Sequence, residues 1–367
     1  MKIKIGKKFL ANAVNTVIKA VPAKSSQTIL ESIRISAVGN SIDFTGNDLE
    51  LGITCRTEGT IIEQGSVCVD AKLFSDMVRK LPDGDVTLQT DDKFMTVLKC
   101  GRSKFQIAGK DAETYPIPKF VEADASFELS ELTLRDSINQ TIFCADITNT
   151  QNKMLSGLLL EVKGYNLRFV ALDGHRIAIR NIALPEENSN ISVVLPGKNA
   201  IELAKILAGG IDDKVKIGVS DSNVSFQFAD TFVVSNLLAG NYFKVDNMLS
   251  SAFDTSMKVN RKEFMETLDR ATTLTSEGDK RPVILDIKET SMDVSISSVK
   301  GNLSEEIEVE ALGKPINIGF NPKFLLDTFK SIEDESLNIY MSNPKAPAFI
   351  KNKEESYIYV VLPVNVR

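Results

Sequence analysis

KLFSDMVRKL (72–81), KNAIELAKIL (198–207) and KFLLDTFKSI (323–332) are three versions of one amphipathic stretch, and their spacing decides the fold. They start 126 and 125 residues apart, close to a third of the chain, and self-similarity at a fixed period is the signature of a repeated unit. Lys72, Lys198 and Lys323 coincide; so do Asp76, Glu202 and Asp327; so do Arg79, Lys205 and Lys330. Three charge columns in phase are hard to obtain by accident. Val78, Ala204 and Phe329 keep an apolar stripe beside them, while Met77, Leu203 and Thr328 match less well. Each stretch leads into a turn and a short alternating strand: PDGDVTLQ, AGGIDDKVKIGV and EDESLNIYM.

A second helix opens each unit: FLANAVNTVIKAV from Phe9, LTLRDSINQTIFCA from Leu132 and FMETLDRATTL from Phe264, with apolar residues recurring at three and four. Between the helices, runs such as SIDFTGNDLELGITC and YNLRFVALDGHRIAIR alternate as half-buried antiparallel strands do. These two runs also match at the 125-residue offset, Phe44 on Phe169 and Asp48 on Asp173. Each unit therefore reads as two helices plus roughly eight short strands. Turn-rich joints follow Tyr115-Pro116-Ile117-Pro118 and lie near LSSAFDTS (249–256). The expectation is an α+β fold of three similar domains, 1–120, 121–248 and 249–367, each two helices packed on antiparallel sheets.

Composition narrows the function. With 43% apolar and 25% charged residues the 367-residue chain is globular in type, which excludes long disordered tails. Cys55, Cys68, Cys100 and Cys144 form no C-x-x-C pair, and one histidine, His175, cannot complete a cysteine–histidine zinc site. The cysteines read as buried thiols in a reducing cytoplasm. The start, MKIKIGKKFLANAVNTVIKAV, is an amphipathic helix rather than a signal peptide, and no apolar run approaches the ~20 residues of a membrane span.

Leu172-Asp173-Gly174-His175-Arg176 is the most enzyme-like string. Catalysis needs a base, its orienting partner and a nucleophile or metal converging in space. No G-x-S-x-G elbow or G-x-G-x-x-G is present, and Gly197-Lys198 lacks the upstream glycine and the hydroxyl residue of a P-loop. A metal-dependent phosphoesterase built on Asp48, Asp173 and His175 stays open as an alternative. In the other reading Asp173-Gly174 is a tight turn, with glycine supplying positive φ and aspartate bonding its own backbone. The basic columns are equally two-sided. Residues seven apart share a helix face, so Lys72 with Arg79, Lys198 with Lys205 and Lys323 with Lys330 could face a phosphate backbone read without sequence. Asp76, Glu202 and Asp327 on nearly the same face could instead make salt-bridge ladders, in a repeat scaffold with no DNA role. A net charge of −6 suits loose contact with retention by topology, not tight affinity for DNA.

Taken together, the three two-helix repeats, Asp173-Gly174-His175-Arg176 after Phe169-Val170-Ala171, and Tyr359-Val360-Val361-Leu362-Pro363 near the end resemble the bacterial DNA sliding clamps, the β subunits of DNA polymerase III. Phe44-Thr45-Gly46-Asn47-Asp48-Leu49-Glu50, Gly101-Arg102-Ser103-Lys104-Phe105 and Tyr115-Pro116 fit too, so the resemblance covers the whole chain. It implies the DNA clamp fold, a head-to-tail homodimeric ring around duplex DNA and a cytoplasmic processivity factor with no catalytic residues, metal or cofactor. Implied partners are the polymerase III catalytic subunit, a clamp loader, other polymerases and repair proteins, and no membrane.

The same resemblance implies site residues. A pocket for a short peptide with glutamine and leucine/phenylalanine anchors would use Leu155, Leu172, Gly174, His175, Arg176, Ile177, Met248, Val360, Leu362, Pro363 and Val364. To Arg79, Lys198, Lys205 and Lys330 of the basic columns the resemblance adds, as residues that would meet DNA, Lys24 and Lys153, the last in a second loop with Gln151, Asn152 and Met154. The subunit contact would use Lys72 and Phe105 on one side, and Leu274, Glu305 and Glu306 on the other. The chain departs from the family at Gly240-Asn241-Tyr242-Phe243, where a proline usually follows the aromatic residue. It departs again at Leu362-Pro363-Val364-Asn365-Val366-Arg367, where Met-Pro-Met-Arg-Leu is usual, and at Thr28, where proline is usual before Ile29-Leu30.

Overall fold

The structure is a computed structural model and describes residues 1–119, 122–249, 252–275 and 281–364. Copy one runs β1 (Lys2–Gly6), α1 (Lys7–Val17), β2 (Ser32–Val38), β3 (Ser41–Asn47), β4 (Leu51–Thr57), β5 (Thr60–Glu63), β6 (Gly65–Asp70), α2 (Ala71–Lys80), β7 (Asp85–Thr90), β8 (Met95–Cys100) and β9 (Ser103–Lys110). Copy two runs β10 (Ala125–Ser130), α3 (Glu131–Ile142), β11 (Gly157–Leu172), β12 (Arg176–Pro196), α4 (Gly197–Ile206), β13 (Lys214–Val219), β14 (Asn223–Phe228) and β15 (Thr231–Asn236). Copy three runs β16 (Thr255–Asn260), α5 (Arg261–Thr272), β17 (Val283–Ile287), β18 (Ser291–Ser298), β19 (Gly301–Gly313), β20 (Ile316–Phe320), α6 (Pro322–Lys330), β21 (Ser336–Met341), β22 (Ala348–Lys351) and β23 (Tyr357–Val361).

The six helices stand within a few residues of where the apolar periodicity predicts them, each entered from a strand. The start of the chain, however, is not helical throughout: its alternating Lys2–Gly6 is β1, and α1 begins only at Lys7. The sharp strand-to-helix switch needs a cap for the free N–H groups of the first turn. Asp70 accepts from the Leu73 N–H at 2.8 Å, Ser130 Oγ from Thr133 at 3.0 Å, Asn260 from Glu263 at 3.1 Å and Asn321 from Lys323 at 2.9 Å. Each such cap contributes about 1 kcal/mol. The strands divide less evenly than the expected eight per copy. Copy two carries as two long strands, β11 and β12, what copy one breaks into β2 to β6, with register irregularities around Gly164.

The chain forms two compact units that do not follow the copies: residues 1–135 with 201–237, and residues 136–200 with 238–367. The first holds a thirteen-stranded sheet, in which β15 of copy two pairs antiparallel with β4 of copy one, Thr231 opposite Cys55 and Ser235 opposite Leu51. The second holds a ten-stranded sheet, in which β23 of copy three pairs with β12 of copy two from Arg176↔Val361 to Arg180↔Tyr357. The last strand of a copy thus extends the sheet of the copy before it. Residues 120–121 at the first sequence joint, and 250–251 beside the second, lie outside the described residues. No helix among the described residues is long and apolar enough to cross a membrane.

In the first unit, Leu10, Val14 and Val17 of α1 are buried with Phe74 and Val78 of α2. In the second, the rings of Phe264 from α5 and Phe329 from α6 meet at 5.1 Å, both fully buried, each side chain worth about 1.5–3 kcal/mol of transfer free energy. The α1 backbone comes so close to the sheet that a Cβ on Gly46 of β3 would lie 2.1 Å from the Val17 carbonyl oxygen. Gly46→Ala is therefore expected to destabilise the protein by about 1–3 kcal/mol, read as a lower midpoint of urea unfolding. An unchanged midpoint would mean that α1 does not seat on β3 in this way.

Candidate functional site

The hairpin turn between β11 and β12 is built by Asp173. Its Oδ1 accepts from the backbone N–H groups of His175 at 2.9 Å and Arg176 at 3.0 Å, and the Asp173 N–H donates to the Arg176 carbonyl at 3.3 Å. Gly174 supplies the left-handed residue, φ +87°. The turn 125 residues earlier has the same wiring: Asp48 Oδ1 accepts from Glu50 and Leu51, and Leu49 takes φ +76°. Leu49 adopts that conformation with a Cβ in place, at about 1–2 kcal/mol. The tight-turn reading of Asp173-Gly174 is the one the geometry supports. The carboxylates of Asp48 and Asp173 serve their own backbones, and no group of three potential metal ligands occurs among the described residues.

Arg176 follows the turn, and its side chain is only 10% exposed. Nε donates to Asp173 Oδ2 at 2.9 Å, Nη1 to Asp327 Oδ2 at 3.1 Å and Nη2 to the Phe143 carbonyl at 2.9 Å. Its guanidinium lies 4.5 Å from the centre of the Phe324 ring, on which the His175 imidazole also stacks at 5.9 Å. Burial opposes the charge, but the two carboxylates outweigh it and hold the guanidinium pKa above its ordinary value. The buried Cys144 beside this group has its thiol pushed up by burial, and Cys68 is pushed up to about 12 the same way. Such thiols are poor nucleophiles.

Against the turn lies an apolar cleft of about 390 Å³. Its floor is Leu172, Ile177 and Val360, side chains of the second unit's core at the ends of three adjacent strands. Leu155, Met248 and Leu362 form its walls, with Gly174, His175 and Arg176 at the rim. Nine of the eleven residues expected in the pocket are thus brought together. Pro363 and Val364 do not line it; the Leu362 N–H donates to the His175 carbonyl at 2.9 Å and the Val364 N–H to Gly319 at 2.8 Å, which ties this tail to the sheet end. Asn365 to Arg367 lie outside the described residues. Asn152, Phe243 and Pro347 also line the cleft. The sequence puts Asn152 in a loop expected at DNA, and marks Phe243 only as a departure from the family. Pro347 has no periodicity or motif that could have singled it out.

The matching joint in the first unit shows why a cleft needs these residues. At the 125-residue offset Gly52 stands for Ile177 and Pro118 for Phe243. Pro118 packs straight onto Gly52, where a Cβ would lie 2.3 Å from Pro118 Cγ, and Asn47 Nδ2 holds the Pro116 carbonyl at 2.7 Å. The chain's own joint segment fills that space.

Lys24, Arg79, Lys205, Lys198, Lys330 and Lys153 are all exposed. Arg79 pairs with Asp76 and Lys205 with Glu202 at 2.7 Å, so the charge columns are salt-bridged in copies one and two. Of the residues expected at a subunit contact, Lys72 and Glu306 are exposed, Phe105 and Leu274 half-buried. Glu305 is committed within the chain: Arg270 donates to both of its oxygens at 2.7 Å and holds its carboxyl below the usual range.

Family models described as the N-terminal, central and C-terminal domains of the DNA polymerase III beta subunit match residues 1–119, 128–244 and 247–365. The beta sliding clamp of Bacillus subtilis is 32% identical over 99% of both chains. A crystal structure of a DNA polymerase III beta subunit from Eubacterium rectale superposes with a TM-score of 0.95 at 46% identity, covering all of both chains. That of the Bacillus subtilis DNA polymerase sliding clamp gives 0.94 at 31%, again over both full chains.

Proposed function

The chain belongs to the DNA polymerase III beta-subunit family, the sliding clamps of DNA replication, and from that premise we propose that two copies close into a ring around duplex DNA. The ring tethers polymerases, a clamp loader and repair proteins by their peptide tails and catalyses nothing itself. The three copies, 1–120, 121–248 and 249–367, are its three domains, and the cytoplasm is where it works.

The observation that carries ring closure is the pattern of strand pairing. β15 extends copy one and β23 extends copy two, each along the strand after the same turn. The rule leaves two edges over. β9 pairs with β8 from Ser103 to Ala108 and reaches β6 only at Gly109 and Lys110. Residues 301–308 of β19 pair with β18 alone. A second copy supplies each edge with the strand it lacks, a heterologous contact that closes after two subunits. Charge favours the match: Arg102, Lys104 and Lys110 face Glu306 and Glu308, with Phe105 meeting Leu274, which packs beside Gly301. Lys24, Lys153, Lys198, Lys330, Arg79 and Lys205 meet phosphates, with exchange of the surface pairs that any of them hold; such pairs are worth under about 1 kcal/mol and exchange readily. Tethering makes polymerase rebinding effectively intramolecular.

Phe105→Asp should convert the dimer to monomers in sedimentation velocity, whereas a persistent dimer would contradict pairing through β9. In the cleft, Met248 is 47% exposed and its replacement leaves the core intact. Met248→Glu is expected to weaken binding of a fluorescent Gln-Leu-Ala-Leu-Phe peptide at least about tenfold in polarisation titrations. Equal binding by both proteins would place the peptide elsewhere.

A further inference from the structure

The repeated charge columns behave differently in the third copy. Asp76 pairs with Arg79 and Glu202 with Lys205, each on its own helix. Asp327, the third acid of the column, instead turns to Arg176 at 3.1 Å, and Lys330, three residues on, makes no ion pair among the described residues. The acid has been diverted from a helix-surface pair to the turn that rims the cleft.

Asp327 does not line the cleft. It reaches the cleft only through Arg176, whose Nε, Nη1 and Nη2 are all engaged within the protein. These three bonds, two of them to carboxylates, hold the guanidinium in place. What it does is mount the turn. Phe324 and Asp327 lie three apart on one face of α6, the ring beneath both Arg176 and His175 and the carboxylate holding Arg176 from the side. On the other side Arg176 is anchored to the Phe143 carbonyl after α3. The His175 carbonyl in turn holds the Leu362 N–H at 2.9 Å, so the position of one cleft wall depends on the same turn.

We propose that Asp327 is a positioning residue of the peptide cleft, acting through Arg176 to fix the His175 turn and Leu362 against helix α6. This rests on the cleft being the peptide site. The same diversion leaves the positive charge of Lys330 uncancelled on a helix we assign to DNA, so one side-chain choice serves both surfaces.

The test uses the full chain and the Gln-Leu-Ala-Leu-Phe peptide, with Asp327→Asn as a near-isosteric change and Asp76→Asn and Glu202→Gln as its counterparts in the other copies. Asp327→Asn is expected to weaken the peptide about three- to tenfold, the size typical of a residue acting through another, and the counterparts to leave affinity unchanged. The single histidine gives a second readout, because its imidazole proton resonances sense the ring current of Phe324. They should move in Asp327→Asn and stay in place in the other two. If Asp327→Asn lowers only the melting temperature, with affinity and imidazole resonances unchanged, the ion pair is merely stabilising and the proposal is overturned. Equal loss of affinity in all three variants would overturn it as well. Failure of the wild-type chain to bind the peptide would instead remove the peptide-site reading.

Discussion

An edge strand exposes a row of unpaired N–H and C=O groups, and burying or pairing that row is the constraint on which this structure depends. The chain meets it by extension: β15 completes the sheet begun by copy one, and β23 completes the one begun by copy two. That is why the compact units cut through the middle copy, whose β10 and β13 to β15 sit in one sheet while β11 and β12 sit in the other. Three copies provide two such extensions within a chain and leave one edge of each kind for a second chain.

The apolar cleft is a by-product of the same joint. Where β23 runs beside β12, the turn before β12 stands next to the end of the incoming strand, and the space between them is lined by core side chains cut off at the sheet end. At the earlier joint the same geometry exists, but Gly52 lets Pro118 in and the space is filled from within. One repeated architecture gives a closed joint and an open one through two substitutions at equivalent positions.

Much of this was legible in the sequence because it rests on local pattern. The helices follow from apolar spacing, and the turns from Asp-Gly and its 125-residue counterpart. Nine of the residues implied by the family resemblance line one cleft, most of them at or beside strand ends whose register the repeat fixes. What was not legible depends on long-range partners. Arg176 is brought to Asp327 across 151 residues, and no spacing announces that pair. Asn152, Phe243 and Pro347 enter the cleft from loops, whose path is set by what they pack against. The sheets crossing the copy boundaries were equally hidden, since each strand's own pattern says that it is half-buried and not which neighbour buries it.

The encirclement of DNA is tested most directly by retention on a nicked circular duplex, with the protein assembled on it by a clamp loader and ATP, before and after one linearising cut. A ring held by topology stays on the circle through washes in high salt, where ionic contacts are screened, and is lost from the ends once the circle is cut. Equal retention on circular and linear DNA, with release governed by salt alone, would mean ordinary affinity binding and would contradict encirclement.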